Sequence, residues 1–119
     1  MLELYKTVRR EQSAEIVIKK SRFIGHVKPV ESEAEAVEFI ERIRKEHWNA
    51  THNCYAYMVG ERDEHQKSSD DGEPSGTAGK PILEVIRQQG LKNVVIVVTR
   101  YFGGIMLGAS GLIRAYADA

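Results

Sequence analysis

The chain has 119 residues, of which 42% are hydrophobic and 29% charged, and its 17 basic and 17 acidic side chains give a net charge of zero. This length suits one domain with one core, and the composition excludes disordered and collagen-like chains. No apolar run approaches the roughly 20 residues of a membrane span, and the single cysteine, Cys54, predicts a reducing, cytoplasmic setting without an internal disulfide.

Charge is unevenly distributed along the chain. Residues 1–30 carry seven basic and three acidic side chains, whereas residues 31–64 carry four basic and nine acidic ones. The amino-terminal strands are therefore candidates for a basic patch. Zero net charge argues against tight non-specific binding to nucleic acid, because that affinity comes mainly from neutralising phosphates.

The amino-terminal residues predict three strands. Residues 3–9 and 14–20 carry short extended patterns, and the polar segment 11–13 between them is typical of a turn, so together they predict a hairpin. Residues 22–30 resume extended structure, with Pro29 marking the end of the strand or a sheet edge.

A helix over residues 33–47 is predicted next. Ser32 and Glu35 match an N-terminal capping box, and apolar residues then recur at helical spacing. Pairs of opposite charge four residues apart, such as Glu38 and Arg42, indicate a solvated outer face.

The second half of the chain predicts the centre of the sheet. Residues 54–59 form a predicted strand, and a short strand is expected at residues 66–68. The five successive apolar residues 94–98 predict a central strand that is covered on both faces. The element order indicates an α+β domain with one mixed β-sheet and helices packed on one face.

Two glycine-rich loops, residues 72–79 and 103–111, bracket the next helix and the central strand. The helix is predicted to begin at Thr77 as its cap and to end at Gly90, and a last helix is predicted over residues 109–117. Because the loops flank adjacent elements, we expect them to approach each other in space.

The surface between these loops is the predicted binding site. Arg100 and Tyr101 follow the central strand and offer a cation and a stacking face, while glycine amides can approach a ligand closely. The alternative left open is that Tyr101 and Phe102 pack in the core and Arg100 pairs with Asp70 or Asp71. The predicted binding residues are His52, Asp70, Asp71, Glu73, Lys80, Arg100, Tyr101, Gly103, Gly104, Gly108, Gly111 and Arg114.

Nucleotide sites are not supported. Gly79 and Lys80 stand at a helix start as in a phosphate-binding P-loop, but prolines occupy the two positions that this motif needs, Pro74 and Pro81. The second loop lacks the glycine spacing of a dinucleotide site. The sequence predicts no cofactor.

Two catalytic alternatives remain open. Asp70, Asp71 and Glu73 could hold a divalent metal for a hydrolase or transferase, although a turn and capping role is favoured for them. His52 and Cys54 share one face of a strand and could form a nucleophile pair, although a buried thiol is the more common outcome. No metal is assigned.

The chain resembles the YigZ/IMPACT family. The segments that carry the resemblance are residues 21–24, 51–57, 71–79, 100–104, 107–108 and 111–116. Met106 stands where such proteins often have lysine. The resemblance implies a fold like domain four of the translocating elongation factor and the second domain of a small-subunit ribosomal protein.

The resemblance also carries expectations about organisation and function. It implies a single N-terminal domain over residues 1–119, of the bacterial branch, with a following ferredoxin-like domain absent from the chain. Eukaryotic members are understood as regulators of translation under starvation. The leading hypothesis is a noncatalytic domain linked to translation that binds RNA, the ribosome or a translation-control protein. The alternative is a pure protein-interaction module whose partner recognises the helix at residues 33–47. No membrane partner and no oligomeric state are predicted.

Overall fold

The computed structural model describes residues 10–118, which form five strands and three helices. The strands are β1 (Gln12–Ile18), β2 (Ser21–Pro29), β3 (His52–Val59), β4 (His65–Ser69) and β5 (Val94–Tyr101). The helices are α1 (Glu33–Glu46), α2 (Gly79–Gln88) and α3 (Gly108–Asp118). The predicted α+β class with one sheet is confirmed, and the predicted strand at residues 3–9 lies outside the described residues. Within residues 10–118, no helix is long and apolar enough to cross a membrane.

The sheet is antiparallel throughout. Its strand order is β1-β2-β5-β3-β4, and each neighbouring pair is antiparallel. The mixed sheet predicted from the sequence is therefore wrong. The strands that α1 connects, β2 and β3, do run in the same direction, but β5 lies between them and pairs with both. Two strands that are joined by a helix form a hydrogen-bonded parallel pair only when no other strand lies between them in the sheet.

Helices cover both faces of the sheet, so the prediction that they pack on one face is also wrong. Val95 and Val97 of β5 pack in a cluster with the apolar side of α1. Val94 and Val98 point the other way and pack with α2 and α3. Side chains alternate along a strand, so a strand that is apolar on both faces needs a covering layer on each. The central, doubly covered position predicted for β5 is confirmed.

The helix predicted over residues 33–47 is confirmed as α1, with its cap. The Ser32 hydroxyl accepts a hydrogen bond from the backbone N of Glu35 at 3.2 Å. The carboxylate of Glu35 accepts in turn from the backbone N of Glu31 at 3.0 Å. The first bond satisfies an amide that the first turn would leave unpaired, and the second ties the residue before the cap to the helix.

A hairpin joins β1 and β2 through Lys19 and Lys20. Both lysines have positive φ angles, 48° and 67°, as a tight two-residue hairpin turn requires. The turn predicted at residues 11–13 is wrong, because Gln12 and Ser13 lie in β1. Glycine and asparagine are the usual residues of such a turn, so a pair of lysines carries no recognisable signal.

Candidate functional site

A pocket of about 430 Å³ lies at the end of the sheet where β3 begins and β5 ends. The first glycine-rich loop contributes Glu73 and Pro74 to its lining, and the second contributes residues 106–109. His52 of β3 and Arg100 of β5 complete its inner part. The two loops therefore approach each other around one cavity.

A buried ion pair forms the floor of the pocket. Arg100 donates from Nη1 to Oε2 of Glu73 at 2.7 Å, and the two side chains are only 6% and 3% exposed. The hydroxyl of Tyr116 in α3 donates to the same carboxylate oxygen. The Ser21 hydroxyl at the start of β2 lies 3.4 Å from Nε and 3.3 Å from Nη2 of Arg100. These contacts join β2, β5, α3 and the first loop.

Arg100 pairs with Glu73 and not, as one interpretation of the sequence has it, with Asp70 or Asp71. Its guanidinium also lies 5.3 Å from the ring centroid of Phe102, a cation–π contact. Since a carboxylate already compensates its charge, Arg100 serves first to hold the loop of Glu73 against the end of β5.

His52 lies beside this ion pair in the pocket. Its Nδ1 is 2.8 Å from the backbone carbonyl oxygen of Asp71, and because a carbonyl only accepts, Nδ1 carries the hydrogen. Its Nε2 is 3.5 Å from Oε1 of Glu73, which is an ion-pair distance but longer than a good hydrogen bond. One ring nitrogen therefore fixes the first loop, and the other faces the floor of the pocket.

Asp70 caps α2 from the first loop. Its Oδ1 accepts from the amides of Ala78 at 3.1 Å and Gly79 at 2.9 Å, and its Oδ2 accepts from the amide of Gly76 at 2.9 Å. Burial alone would raise the pKa of Asp70, but these amides outweigh it and hold the pKa below its usual value. The prediction that Thr77 is the cap is wrong, because its hydroxyl donates to a loop carbonyl at 2.6 Å.

The acidic residues of the first loop do not converge on one point. Asp71 accepts through Oδ2 from the backbone N of Asn53 at 2.7 Å, Glu73 is buried against Arg100, and Asp70 faces the amides of α2. Residues 10–118 contain no group of three or more acidic, histidine or cysteine side chains placed to hold a metal ion. This geometry gives no support to the metal-dependent hydrolase alternative.

Cys54 lies on the same face of β3 as His52, in the interior. Its side chain is fully buried, and its Sγ donates to the carbonyl oxygen of Asp70 at 3.0 Å. Burial raises the pKa of the Cys54 thiol well above its ordinary value, which keeps it protonated. A structural thiol fits this environment better than a nucleophile does.

The remaining predicted side chains lie away from the pocket lining. Lys80 in α2 and Arg114 in α3 are exposed, and neither lines the pocket. Tyr101 follows Arg100 in β5 and therefore points to the opposite face of the sheet. Its hydroxyl lies 2.6 Å from Nδ1 of His47, which follows α1.

The predicted glycines shape the second loop. A Cβ at Gly103 would lie 2.1 Å from the carbonyl oxygen of Lys20, so only glycine lets this loop pack against the β1–β2 turn. Gly104 follows it in the loop, Gly108 begins α3 and lines the pocket, and Gly111 lies within the first turn of α3.

Apolar side chains form the outer walls of the pocket. Phe102 is 46% exposed and Met106 is 80% exposed, while Leu107 and Leu112 lie deeper. Large apolar side chains that remain exposed beside a pocket are typical of binding sites.

Two residues of the floor were not predicted as site residues. Ser21 precedes Arg100 by 79 residues, and Tyr116 follows Glu73 by 43 residues. No local pattern reveals contacts of such separation. The only sequence signal was that both residues fall within segments that carry the family resemblance.

A second polar network supports the same end of the sheet from the α1 face. The Thr99 hydroxyl donates to Oδ1 of Asn53 at 2.7 Å, so Nε2 of His26 must be the donor to Thr99 Oγ1, 3.1 Å away. Asn53 donates in turn to the backbone carbonyl of His47 at 3.2 Å. Burial, followed by the nearby His47 ring, lowers the pKa of His26 to about 4.

The fold and the site define a small α+β domain whose two glycine-rich loops enclose a pocket with a charged floor and apolar walls. Residues 19–119 match the Impact N-terminal domain, and the chain belongs to this family. IMPACT family member YvyE of Bacillus subtilis (strain 168) is 63% identical over 119 residues, which cover 100% of this chain and 55% of YvyE. The family prediction is confirmed, and this identity agrees with the predicted bacterial branch.

Solved structures share this fold. One, described as a hypothetical protein, matches with a TM-score of 0.92 at 38% identity and covers 99% of this chain and 58% of that chain. The two-domain translational regulator Yih1 matches with a TM-score of 0.65 at 25% identity, covering 95% of this chain and 46% of Yih1. The chain thus spans about half the length of the relatives that it matches.

Proposed function

We propose that this chain is a noncatalytic binding domain that takes part in the regulation of translation and contacts a protein partner through the pocket between its glycine-rich loops. The observation that carries the proposal is the pair of exposed apolar walls, Met106 and Phe102, above a buried floor. The similarity to the translational regulator Yih1 supports the link with translation. Translation is cytoplasmic, which suits a chain with one cysteine and no disulfide.

The composition of the pocket favours a protein over RNA. Arg100, the cation in the floor of the pocket, is buried and compensated by Glu73, and the walls are apolar rather than basic. RNA affinity needs uncompensated cations that neutralise phosphates. Protein interfaces, in contrast, are centred on apolar anchors that fill a pocket.

The chemistry of the interior also favours binding over catalysis. Cys54 is held protonated and donates to a carbonyl. Asp70 accepts from the amides of α2, and Oε2 of Glu73 accepts from Arg100 and Tyr116. A nucleophile needs a reactive group that is free to attack a substrate, and neither the Cys54 thiol nor the Asp70 carboxylate meets that need.

The test adds the purified chain to a cell-free translation extract of Bacillus subtilis and measures the rate of reporter synthesis. The wild type is expected to slow synthesis. Met106→Glu places a charge in the apolar wall, so roughly tenfold more protein should be needed for the same effect. Val37→Glu is the matched control, because Val37 is also an exposed apolar residue, 46% exposed, but lies on α1 away from the pocket.

Each other outcome overturns part of the proposal. No effect of the wild type would refute the role in translation. Equal potency of the wild type and Met106→Glu would refute the pocket as the contact surface, and loss with Val37→Glu would move the contact to α1. Binding to ribosomes that nuclease abolishes and that falls steeply with salt would identify RNA as the partner.

A further inference from the structure

Two hydrogen-bond acceptors meet at the floor of the pocket. Nδ1 of His52 donates to the carbonyl of Asp71, and the neutral tautomer that this bond selects has its lone pair on Nε2. This lone pair faces Oε1 of Glu73 at 3.5 Å. Arg100 and Tyr116 both donate to the other oxygen, Oε2, and within residues 10–118 neither Nε2 nor Oε1 receives a hydrogen bond. The Glu73 side chain is only 3% exposed and the His52 side chain 19%. Buried acceptors are normally satisfied, so Oε1, with Nε2 beside it, suits a donor that enters the pocket.

The charge at the floor of the pocket determines whether a cationic or a neutral hydrogen-bond donor can bind there. Arg100 lies 2.7 Å from the Glu73 carboxylate and already compensates it. A cationic group placed between His52 and Glu73 would be repelled by the nearby guanidinium. A neutral O–H or N–H group can donate there without that repulsion, and the desolvated carboxylate strengthens the bond.

The walls of the pocket determine which kind of side chain can carry this donor. The Phe102 ring can stack on an aromatic ring, and the Met106 thioether makes favourable contacts with one. The volume of about 430 Å³ falls within the range of about 300–1,000 Å³ typical of ligand pockets. An aromatic side chain with a neutral donor at its tip therefore satisfies both the walls and the floor.

We propose that the pocket binds a tyrosine side chain of the partner, with its ring between Phe102 and Met106 and its hydroxyl donating to Nε2 of His52 or Oε1 of Glu73. The inference rests on the proposed function, in which the partner is a protein, and it names the side chain that anchors that partner. An anchor of this kind fits the known preference of interface hot spots for large aromatic residues.

A ligand pair that differs by one hydroxyl tests the inference. N-acetyl-L-tyrosinamide and N-acetyl-L-phenylalaninamide are titrated into the ¹⁵N-labelled chain, and binding is followed by amide chemical shifts. The tyrosine amide is expected to shift the amides of His52 and residues 106–109 and to bind about tenfold more tightly than the phenylalanine amide. Equal affinities, or no shifts at these residues, would overturn the proposal.

Two further measurements test whether the tyrosine amide binds in this pocket and whether Nε2 of His52 is an acceptor. Met106→Glu should weaken binding of the tyrosine amide by roughly fivefold while Val37→Glu leaves it unchanged, and equal weakening by both would overturn the proposal. Side-chain ¹⁵N spectra should show His52 with a hydrogen on Nδ1 and none on Nε2, and Nε2 should shift with the tyrosine amide only. A hydrogen on Nε2 in the free protein would refute the acceptor pair.

The outcome is separable from that of the proposed function. The titration contains no component of the translation machinery. Tight binding of the tyrosine amide without any effect on translation would refute the proposed function and leave the ligand class standing. An effect on translation with equal affinity for both amides would refute the tyrosine ligand and leave the proposed function intact.

Discussion

The guanidinium of Arg100 and the carboxylate of Glu73 form a hydrogen-bonded ion pair of 2.7 Å in which both side chains are more than nine-tenths buried. Arg100 belongs to the central strand, and Glu73 belongs to the first glycine-rich loop. Tyr116 adds a hydrogen bond from α3 to the same carboxylate. The pair thus sets the position of the loop, of the last helix and of the floor of the pocket together.

Removal of one partner of this pair should destabilise the fold strongly. Glu73→Leu leaves the Arg100 guanidinium buried without its carboxylate, which typically costs about 3–5 kcal/mol. The free energy of unfolding, measured by urea denaturation, is expected to fall by this amount.

The double variant Glu73→Leu with Arg100→Met provides the control. It removes both charges and leaves apolar groups of similar size, so it should be less destabilised than the sum of the two single variants by at least about 2 kcal/mol. Additive losses would show that the two side chains do not depend on each other.

The cap of α2 yields a second prediction. Asp70→Ala removes the acceptor of three amides and should lower the free energy of unfolding by about 2 kcal/mol, the upper end of measured cap effects. Thr77→Val, which leaves the Asp70 cap intact, is expected to cost less. A larger loss for Thr77→Val in urea denaturation would contradict the assignment of Asp70.

The pH dependence of this cap has a defined sign. Hydrogen bonds from the helix amides hold the pKa of Asp70 below its usual value in the folded state. Its stabilising contribution is therefore fully present above the pKa of the unfolded chain and is lost as the pH falls through the folded pKa. Asp70→Ala should show correspondingly less acid sensitivity than the wild type.

His26 should make the fold sensitive to mild acid. Burial and the His47 ring lower the pKa of His26 from 6.5 to about 4. Between these two pH values, the His26 imidazole is therefore protonated to a greater extent in the unfolded chain than in the folded protein. Stability is full above the unfolded pKa and should decline by about 2 kcal/mol between about pH 7.5 and pH 5. Urea denaturation at the two pH values measures this change.

His26→Gln is the matched variant for that measurement. Glutamine can still donate to the Thr99 hydroxyl but does not titrate, so the decline between the two pH values should shrink in the variant. An unchanged decline would assign the acid sensitivity to another group.

The elements that the sequence predicts well are those with local signals. Ser32 and Glu35 define the start of α1 because a capping box depends on residues three apart. The apolar run at residues 94–98 identifies the central strand because no exposed strand can be apolar on both faces. In both cases the information lies within a few residues of sequence.

The elements that the sequence did not predict depend on distant contacts. The antiparallel sheet results from insertion of β5 between β2 and β3, which no local pattern shows. The sequence predicts Arg100 and Glu73 as site residues but does not predict their pairing, because the fold brings β5 and the first loop together. Proximity in sequence favours Thr77 as the cap of α2, whereas the residue that caps it, Asp70, lies nine residues before Gly79.

The packing of the second loop on the β1–β2 turn yields the last prediction. A Cβ at Gly103 would lie 2.1 Å from the carbonyl oxygen of Lys20, and neither backbone can give way easily, so Gly103→Ala should lower the free energy of unfolding by about 3 kcal/mol. Gly104 has a φ of 91° and open space around its Cβ position, so Gly104→Ala should cost only about 1 kcal/mol of backbone strain. Urea denaturation of the two variants measures the difference. A loss for Gly104→Ala as large as that for Gly103→Ala would show that conformational strain, and not the close approach to Lys20, decides the need for glycine in this loop.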